Sequence, residues 1–223
     1  MQQPTQAMQD ARRAAYPAPR EDTWRRLPLS PALVLDDALP PEHAAALLDY
    51  AIANQHRYTP ASTLAADLTL QEGRFRRART LADLGPFRGL AGRVLASHDR
   101  AIGARFGPLA VQPGALEEEI AASNDGDFFA KHNDSGAEPV AHRRFTLIVY
   151  LHRQPCPFAG GELLIYATET MPNGNVRAVP VDMIAPRHNR CALFPAATFH
   201  EILPVTMASR DFSGSRFAVT SWI

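Results

Sequence analysis

The chain has 223 residues, 46% of them hydrophobic, and its 23 basic and 23 acidic side chains cancel to a formal net charge of zero. That length buries a sizeable core in one large domain, or in one domain with an appendage. The balanced charge argues against bulk electrostatic attachment to nucleic acid or to an anionic membrane. Two cysteines, Cys156 and Cys191, supply neither a disulfide framework nor a cysteine-rich zinc motif, so a reducing cytoplasm is the expected setting. No apolar run reaches the roughly 18 residues that a membrane-spanning helix needs, and Met1 to Arg13 lacks the apolar stretch of a secretory signal.

Residues 1 to about 24 mix Gln, Ala, Arg and Pro without apolar periodicity. They read as a mobile tail with at most a helical turn near Gln6 to Ala15. One domain is expected over 25–223, with helical support to about residue 115 and a β-rich core from about 116. Val34-Leu35 reads as a short strand. Pro40-Pro41 then opens a helix, where missing amide donors matter least. Ala44, Leu47, Leu48, Ala51 and Ile52 recur at helical spacing as one buried stripe. The spacing of Phe87, Leu90, Ala91, Val94, Leu95, Ala101 and Ile102 predicts a second helix over Pro86 to Phe106. Between the helices lies a basic run, Arg74, Arg76, Arg77 and Arg79. It reads as solvated charge in preference to a lid over a site.

From Leu116 onward short β-rich runs alternate with turn residues. Eight strands are expected, at about 116–121, 127–131, 144–151, 161–167, 177–183, 190–194, 199–205 and 216–222. Gly160-Gly161 and Pro172-Asn173-Gly174 mark turns between them. Two helices followed by eight short strands predict an α+β fold, a double-stranded β-helix or jelly roll with the N-terminal helices packed on one sheet. Strand ends at the mouth of such a roll offer rigid places for a site.

Chemistry gathers around Phe128-Phe129-Ala130-Lys131-His132-Asn133-Asp134-Ser135. An imidazole and a carboxylate two residues apart can turn toward one point. With one distant histidine they form two His and one carboxylate on one face of a metal, an arrangement that suits non-haem Fe(II). Of the eight histidines, His43, His56 and His98 fall in the helical half. His142, His152 and His188 read as solvated. His200 opens an apolar strand after Phe194-Pro195 and a tight turn, and a polar ring there needs a partner. In the last strand, alternation puts Arg216, Ala218, Thr220 and Trp222 on one face. A guanidinium in that place matches a buried carboxylate, or else a structural Asp or Glu. Thr146, Ile148 and Tyr150 share a face of their own strand, and the hydroxyls of Thr146 and Tyr150 can serve the same anion or simply cap a core strand.

Taken in order, these pieces resemble the Fe(II)/2-oxoglutarate-dependent dioxygenases, and within them the prolyl 4-hydroxylase-like branch. The resemblance rests on Gly126 to Ser135, Phe145 to Leu151 with Phe158-Ala-Gly160-Gly161-Glu-Leu163, Arg190 to Pro195 with Phe199 to Val205, and Arg216-Phe-Ala-Val-Thr-Ser-Trp222. It spans Glu117 to Ile223, about half the chain. It implies that His132, Asp134 and His200 hold Fe(II), and that Arg216 holds the distal carboxylate of 2-oxoglutarate with help from Tyr150 and Thr146. O2 is then the second cosubstrate, and ascorbate a possible reductant. Arg144 and Trp222 are candidates for the substrate pocket. An intact carboxylate at Asp134 implies hydroxylation, since related halogenases leave that place small for a halide. The implied activity is hydroxylation of a prolyl or other amino-acid side chain in a protein, a peptide or a free amino acid, with release of succinate and CO2. A jelly roll that binds metal and 2-oxoglutarate as a sensor or scaffold is the alternative. Two departures stand out. The family often carries its basic anchor about ten positions after the last histidine, which here is Arg210, and choosing Arg216 makes Met207 to Ser215 an inserted loop. A tyrosine common some ten residues before the first histidine is replaced near Ala122-Ser123.

Overall fold

Pro41 occupies the first helical position, where its absent donor and fixed φ cost nothing. The helix it opens, α1 (Pro41–Ala53), buries Ala44, Leu47, Leu48 and Ala51 along one stripe. In the computed structural model the described residues are 30–61, 75–109, 116–136, 138–170, 173 and 175–223. The long helix expected over 86–106 is divided into a 3-10 turn (Gly85–Phe87), α2 (Leu90–Ser97) and α3 (Asp99–Phe106). Two residues divide it. Gly89 takes a left-handed φ of 77° just ahead of α2, a region open to a residue without Cβ. His98 leaves helical backbone at φ −121° and ψ 22°, and its Nε2 lies 3.1 Å from the carbonyl oxygen of Ala38.

The strands are β1 (Leu33–Leu35), β2 (Thr59–Pro60), β3 (Arg76–Arg77), β4 (Arg79–Leu81), β5 (Glu117–Ser123), β6 (Phe128–His132), β7 (Phe145–Leu151), β8 (Ala159–Gly160), β9 (Leu163–Thr170), β10 (Val176–Ile184), β11 (Cys191–Pro195), β12 (His200–Ile202), β13 (Val205–Thr206) and β14 (Arg216–Trp222). They form a larger sheet in the order β1-β11-β7-β14-β5-β4-β2, a smaller one in the order β10-β9-β12-β6-β3, and a β13-β8 ribbon. Neighbours pair antiparallel.

The larger sheet is covered on both faces. On one, Leu147, Val149, Leu151, Leu193, Phe217 and Val219 pack with α1, α2 and Ile102 of α3. On the other, Ile148, Tyr150, Ala192, Phe194 and Ala218 meet Leu163 and Ile165 of the smaller sheet. That two-sided burial explains the unbroken apolar run of β7, a pattern of strands with no solvent face. Thr146 and Tyr150 of β7 and Arg216 of β14 lie on the inner face, between the sheets.

Each of the eight expected strands has a counterpart, and the expected architecture of helices on one sheet of a jelly roll is present. The run expected at 199–205 is split into β12 and β13 by Leu203-Pro204, since proline cannot donate to a ladder. β2, β3, β4 and β8 were not foreseen, being two or three residues long. Around Ala78 the chain passes from the smaller sheet (β3) to the larger (β4) and closes a seam of the roll. This consumes the basic run that read as solvated. Arg76 pairs with Glu119 at 2.6 Å, Arg77 with Asp127 at 2.8 Å, and Arg79 donates to the Tyr58 carbonyl at 2.9 Å. Arg74, the N-terminal tail with its turn near Gln6, and Pro172 and Gly174 of one expected turn lie outside the described residues.

Among the described residues no helix is long and apolar enough to cross a membrane. The cysteines are unpaired, Cys156 exposed and Cys191 buried, and burial pushes the Cys191 thiol up to about 12. The thiolate is the form that attacks a thiol-directed reagent, so the native chain is expected to take up one label, at Cys156. The unfolded chain should take up two. Rapid native labelling at Cys191, read by mass spectrometry of the digest, would contradict this placement.

Candidate metal centre

β6 and β12 are neighbours in the smaller sheet, and their register sets His132 directly opposite His200. The two rings lie 4.2 Å apart, centroid to centroid. Just past β6 the chain turns, and the Asp134 amide donates to the Ala196 carbonyl at 2.8 Å. The turn directs the carboxylate back at both rings, Oδ1 3.7 Å from His132 Nε2 and Oδ2 3.5 Å from His200 Nε2. One ligand atom from each residue falls within a 4.8 Å set, with Asp134 and His200 buried and His132 half-buried.

Both imidazoles are oriented by backbone. His132 Nδ1 lies 2.7 Å from the Ala130 carbonyl and His200 Nδ1 2.9 Å from that of Thr198. Each Nδ1 therefore carries the proton, and each Nε2 presents a lone pair to the centre, the usual outer arrangement of metal-bound histidine. Burial, joined by the positive field of His200, pushes His132 down to about 3 against the pull of Asp134, so it is neutral at pH 7. Burial pushes Asp134 upward, but the imidazoles, the Thr146 hydroxyl and the Trp222 indole outweigh it and leave the carboxyl below its ordinary range. The centre thus presents two imidazole Nε2 atoms, aimed by the backbone contacts of their Nδ1 atoms, and one anionic oxygen. That donor set fits Fe(II) and leaves coordination positions open.

Thr146 belongs to this centre. Its hydroxyl donates to Asp134 Oδ2 at 2.6 Å, whereas the sequence had suggested a role beside Tyr150 on the cosubstrate. Four residues of strand, about 13 Å, separate the two, too far to share one carboxylate. Trp222 pairs in register with Thr146. Its indole nitrogen is buried near Asp134 without a fully formed hydrogen bond.

Deeper in the roll, Arg216 is 1% exposed. Its Nε donates to the Gly161 carbonyl at 2.8 Å, and its guanidinium lies over the Tyr150 ring, 4.9 Å from the centroid. Both terminal nitrogens and the Tyr150 hydroxyl are buried without a fully formed hydrogen bond, although the guanidinium and the hydroxyl lie close enough to interact. Burial raises Tyr150 to about 12, so it remains a hydroxyl donor. Three such donors at one place call for an anion with two oxygens, and the distal carboxylate of a 2-oxo diacid meets that demand. Gly161 makes the room. At a φ of 72°, a Cβ there would sit 2.6 Å from Arg216 Cδ. Gly161→Ala is expected to weaken 2-oxoglutarate binding at least tenfold and to lower the melting temperature, since the left-handed backbone alone costs about 1–2 kcal/mol for alanine. Unchanged affinity by calorimetry would separate this hairpin from the anchor.

Arg210, the other anchor candidate, sits on a loop at φ 53° with its side chain 61% exposed, paired to Asp125 at 3.0 Å. Arg144 is exposed and does not join Trp222. Its neighbour does: the Arg143 guanidinium lies 4.1 Å over the indole and is bound to Glu117 at 2.5 Å. Glu117 faces Trp222 across the β5-β14 ladder. Adjacent arginines before a strand point opposite ways, and the sequence does not say which turns inward. His152, read as solvated, is buried, with Nδ1 on the Arg153 carbonyl.

Residues 119–223 match the 2OG-Fe(II) oxygenase superfamily model. Over 118 residues the chain is 36% identical to an uncharacterized PKHD-type hydroxylase of Synechocystis, an alignment covering 53% of this chain and 38% of that protein. It therefore spans well under half the length of this curated relative. A prolyl-4-hydroxylase from Pseudomonas putida shares the fold at a TM-score of 0.54 and 18% identity, over 90% of this chain and 96% of that one. So does a Trichoplax adhaerens prolyl hydroxylase, solved in complex with a hypoxia inducible factor oxygen degradation domain peptide, at 0.55 and 19% over 99% and 93%.

Proposed function

On the premise that residues 119–223 are a 2OG-Fe(II) oxygenase superfamily domain, we propose that the chain is an Fe(II)- and 2-oxoglutarate-dependent hydroxylase acting on a prolyl or other amino-acid side chain, in a peptide or protein first and a free amino acid second. The observation that carries the reading is the pairing of two donor sets inside one roll. One is the inward-facing His132, Asp134 and His200 set. The other is the buried Arg216 and Tyr150 donors. When bound, Fe(II) with 2-oxoglutarate and O2 would supply an oxidation in which one oxygen atom enters succinate as CO2 leaves and the other becomes the hydroxyl on the substrate C–H.

The chain's own residues supply placement. Arg216 and Tyr150 hold the distal carboxylate, and Gly161 keeps the guanidinium aimed. His132, Asp134 and His200 hold the metal, while Thr146 fixes Asp134. Trp222 under Arg143 walls the mouth. A buried, preorganised set of this kind contributes through orientation and exclusion of water. The peptide seen in the Trichoplax protein supports a peptide substrate here. Two unpaired cysteines fit a reducing compartment, and we assign the chain to the cytoplasm on that ground.

The test is incubation of the purified chain with Fe(II), 2-oxoglutarate, ascorbate and a panel of proline-containing peptides and amino acids, read by mass spectrometry. The expected product carries one added oxygen. Metal analysis of protein purified without oxygen should find iron. Zinc in its place, with no oxidised product from any substrate, would sink the reading.

A further inference from the structure

Phe129 and His132 are three residues apart on β6, a spacing that in a regular strand puts side chains on opposite faces. Here they share a face, because His132 pairs with His200 and Phe129 with Ile202, so that two residues of β6, Ala130 and Lys131, stand opposite one of β12, Glu201. Bulges of this kind re-aim side chains beside sites. The Phe129 ring lies flat on the His132 imidazole, centroids 3.5 Å apart at an 18° angle. Arg76, the cross-strand partner of Phe129 on β3, sets its guanidinium 4.7 Å over that ring. Arg76 is held in turn by Glu119 at 2.6 Å, with side chains only 11% and 18% exposed. Glu119 stands on β5 of the larger sheet and Arg76 on β3 of the smaller. Phe75 closes the group edge-on, 5.6 Å from Phe129 and 6.2 Å from His132.

We propose that Phe129 and Arg76 are positioning residues for the first metal ligand, and that the Glu119–Arg76 pair carries the closure of the seam between the sheets through to the plane of the His132 ring. The Ala130 carbonyl fixes one edge of that ring but leaves rotation about the hydrogen bond, which a flat aromatic neighbour restricts. Phe129 in turn is held from the other side by a guanidinium, a favourable cation–π partner. The inference rests on the metal centre proposed above. Outer contacts of metal-binding histidines typically set affinity by about 10–100-fold.

The readout is Mn(II) binding to the folded chain, followed by the electron paramagnetic resonance of free Mn(II), at temperatures well below each variant's melting point. Phe129→Leu is expected to weaken Mn(II) at least about tenfold, Phe129→Tyr to keep it within about threefold, and Arg76→Gln and Glu119→Gln to fall between. A merely structural role would lower the melting temperature and leave Mn(II) affinity alone, and that result for folded Phe129→Leu overturns the proposal. Should Phe129→Leu not fold, Arg76→Gln decides on the same reading: a loss of threefold or more supports the proposal and parental affinity overturns it. His132→Ala separates the two levels. If it binds Mn(II) like the parent, the metal centre itself is misassigned. If it does not, and Phe129→Leu matches the parent, only the positioning role fails.

Discussion

His132→Ala and His200→Ala are each expected to abolish turnover while the chain still folds. Either change removes one of two imidazole nitrogen donors from a three-residue set, and a labile divalent ion is not held by the two that remain. The fold should persist because neither ring fills the core beneath the helices. Acid titration gives an independent sign. His132 is pushed down to about 3, chiefly by burial, while in the unfolded chain it titrates near 6.5. Below that ordinary value the unfolded state takes up a proton that the folded state refuses, so metal-free stability falls as pH drops from 7 toward 3. Metal-free His132→Ala should lose less stability than the parent between pH 7 and 5. Near-normal turnover in either histidine variant would remove that residue from the centre.

Arg216→Ala is expected to raise the 2-oxoglutarate requirement by about 30-fold or more, roughly 2 kcal/mol. Arg210→Ala should change it less than about threefold, the scale of an exposed ion pair. The difference follows from burial and pairing. Arg216 is 1% exposed, with both terminal nitrogens and the adjacent Tyr150 hydroxyl lacking a fully formed hydrogen bond. Arg210 is largely in water and already bound to Asp125. A buried carboxylate stripped of its bidentate partner typically loses about 2–5 kcal/mol. Because an unpaired buried charge is costly, Arg216→Met is also expected to raise the melting temperature of the ligand-free chain while destroying 2-oxoglutarate affinity. A larger effect at Arg210, with both variants folded, would move the anchor.

The strands from residue 116 were readable because both their alternation and their turn residues are strong. β7 and β14 carry period-two faces that the two packed layers use as predicted, which is why Arg216 could be placed with Trp222 and Tyr150 with Ile148 from spacing alone. The triad was readable as three residue types in order, but its assembly was not. It depends on β6 lying against β12, a long-range register that local pattern does not encode. The bulge that brings Phe129 onto His132 was hidden for the same reason. Segments such as β3 and β4 are too short to show a period, so Arg76, Arg77 and Arg79 looked solvated when they close the roll. Thr146 was placed on the right face and given the wrong partner, because a face says nothing about position along the strand axis relative to a ligand. His98 breaks the second helix through a contact with Ala38 that no helical pattern displays.

Oxidation of a substrate with 2-oxoglutarate by this roll is measured as succinate formed from labelled 2-oxoglutarate by the full chain, under air with Fe(II) and proline-containing peptides or amino acids. Succinate is predicted to appear, to require Fe(II), and to vanish in His200→Ala. A parent protein that binds iron and 2-oxoglutarate yet never releases succinate, with or without any of those substrates, would contradict the hydroxylase and leave a binding protein in its place.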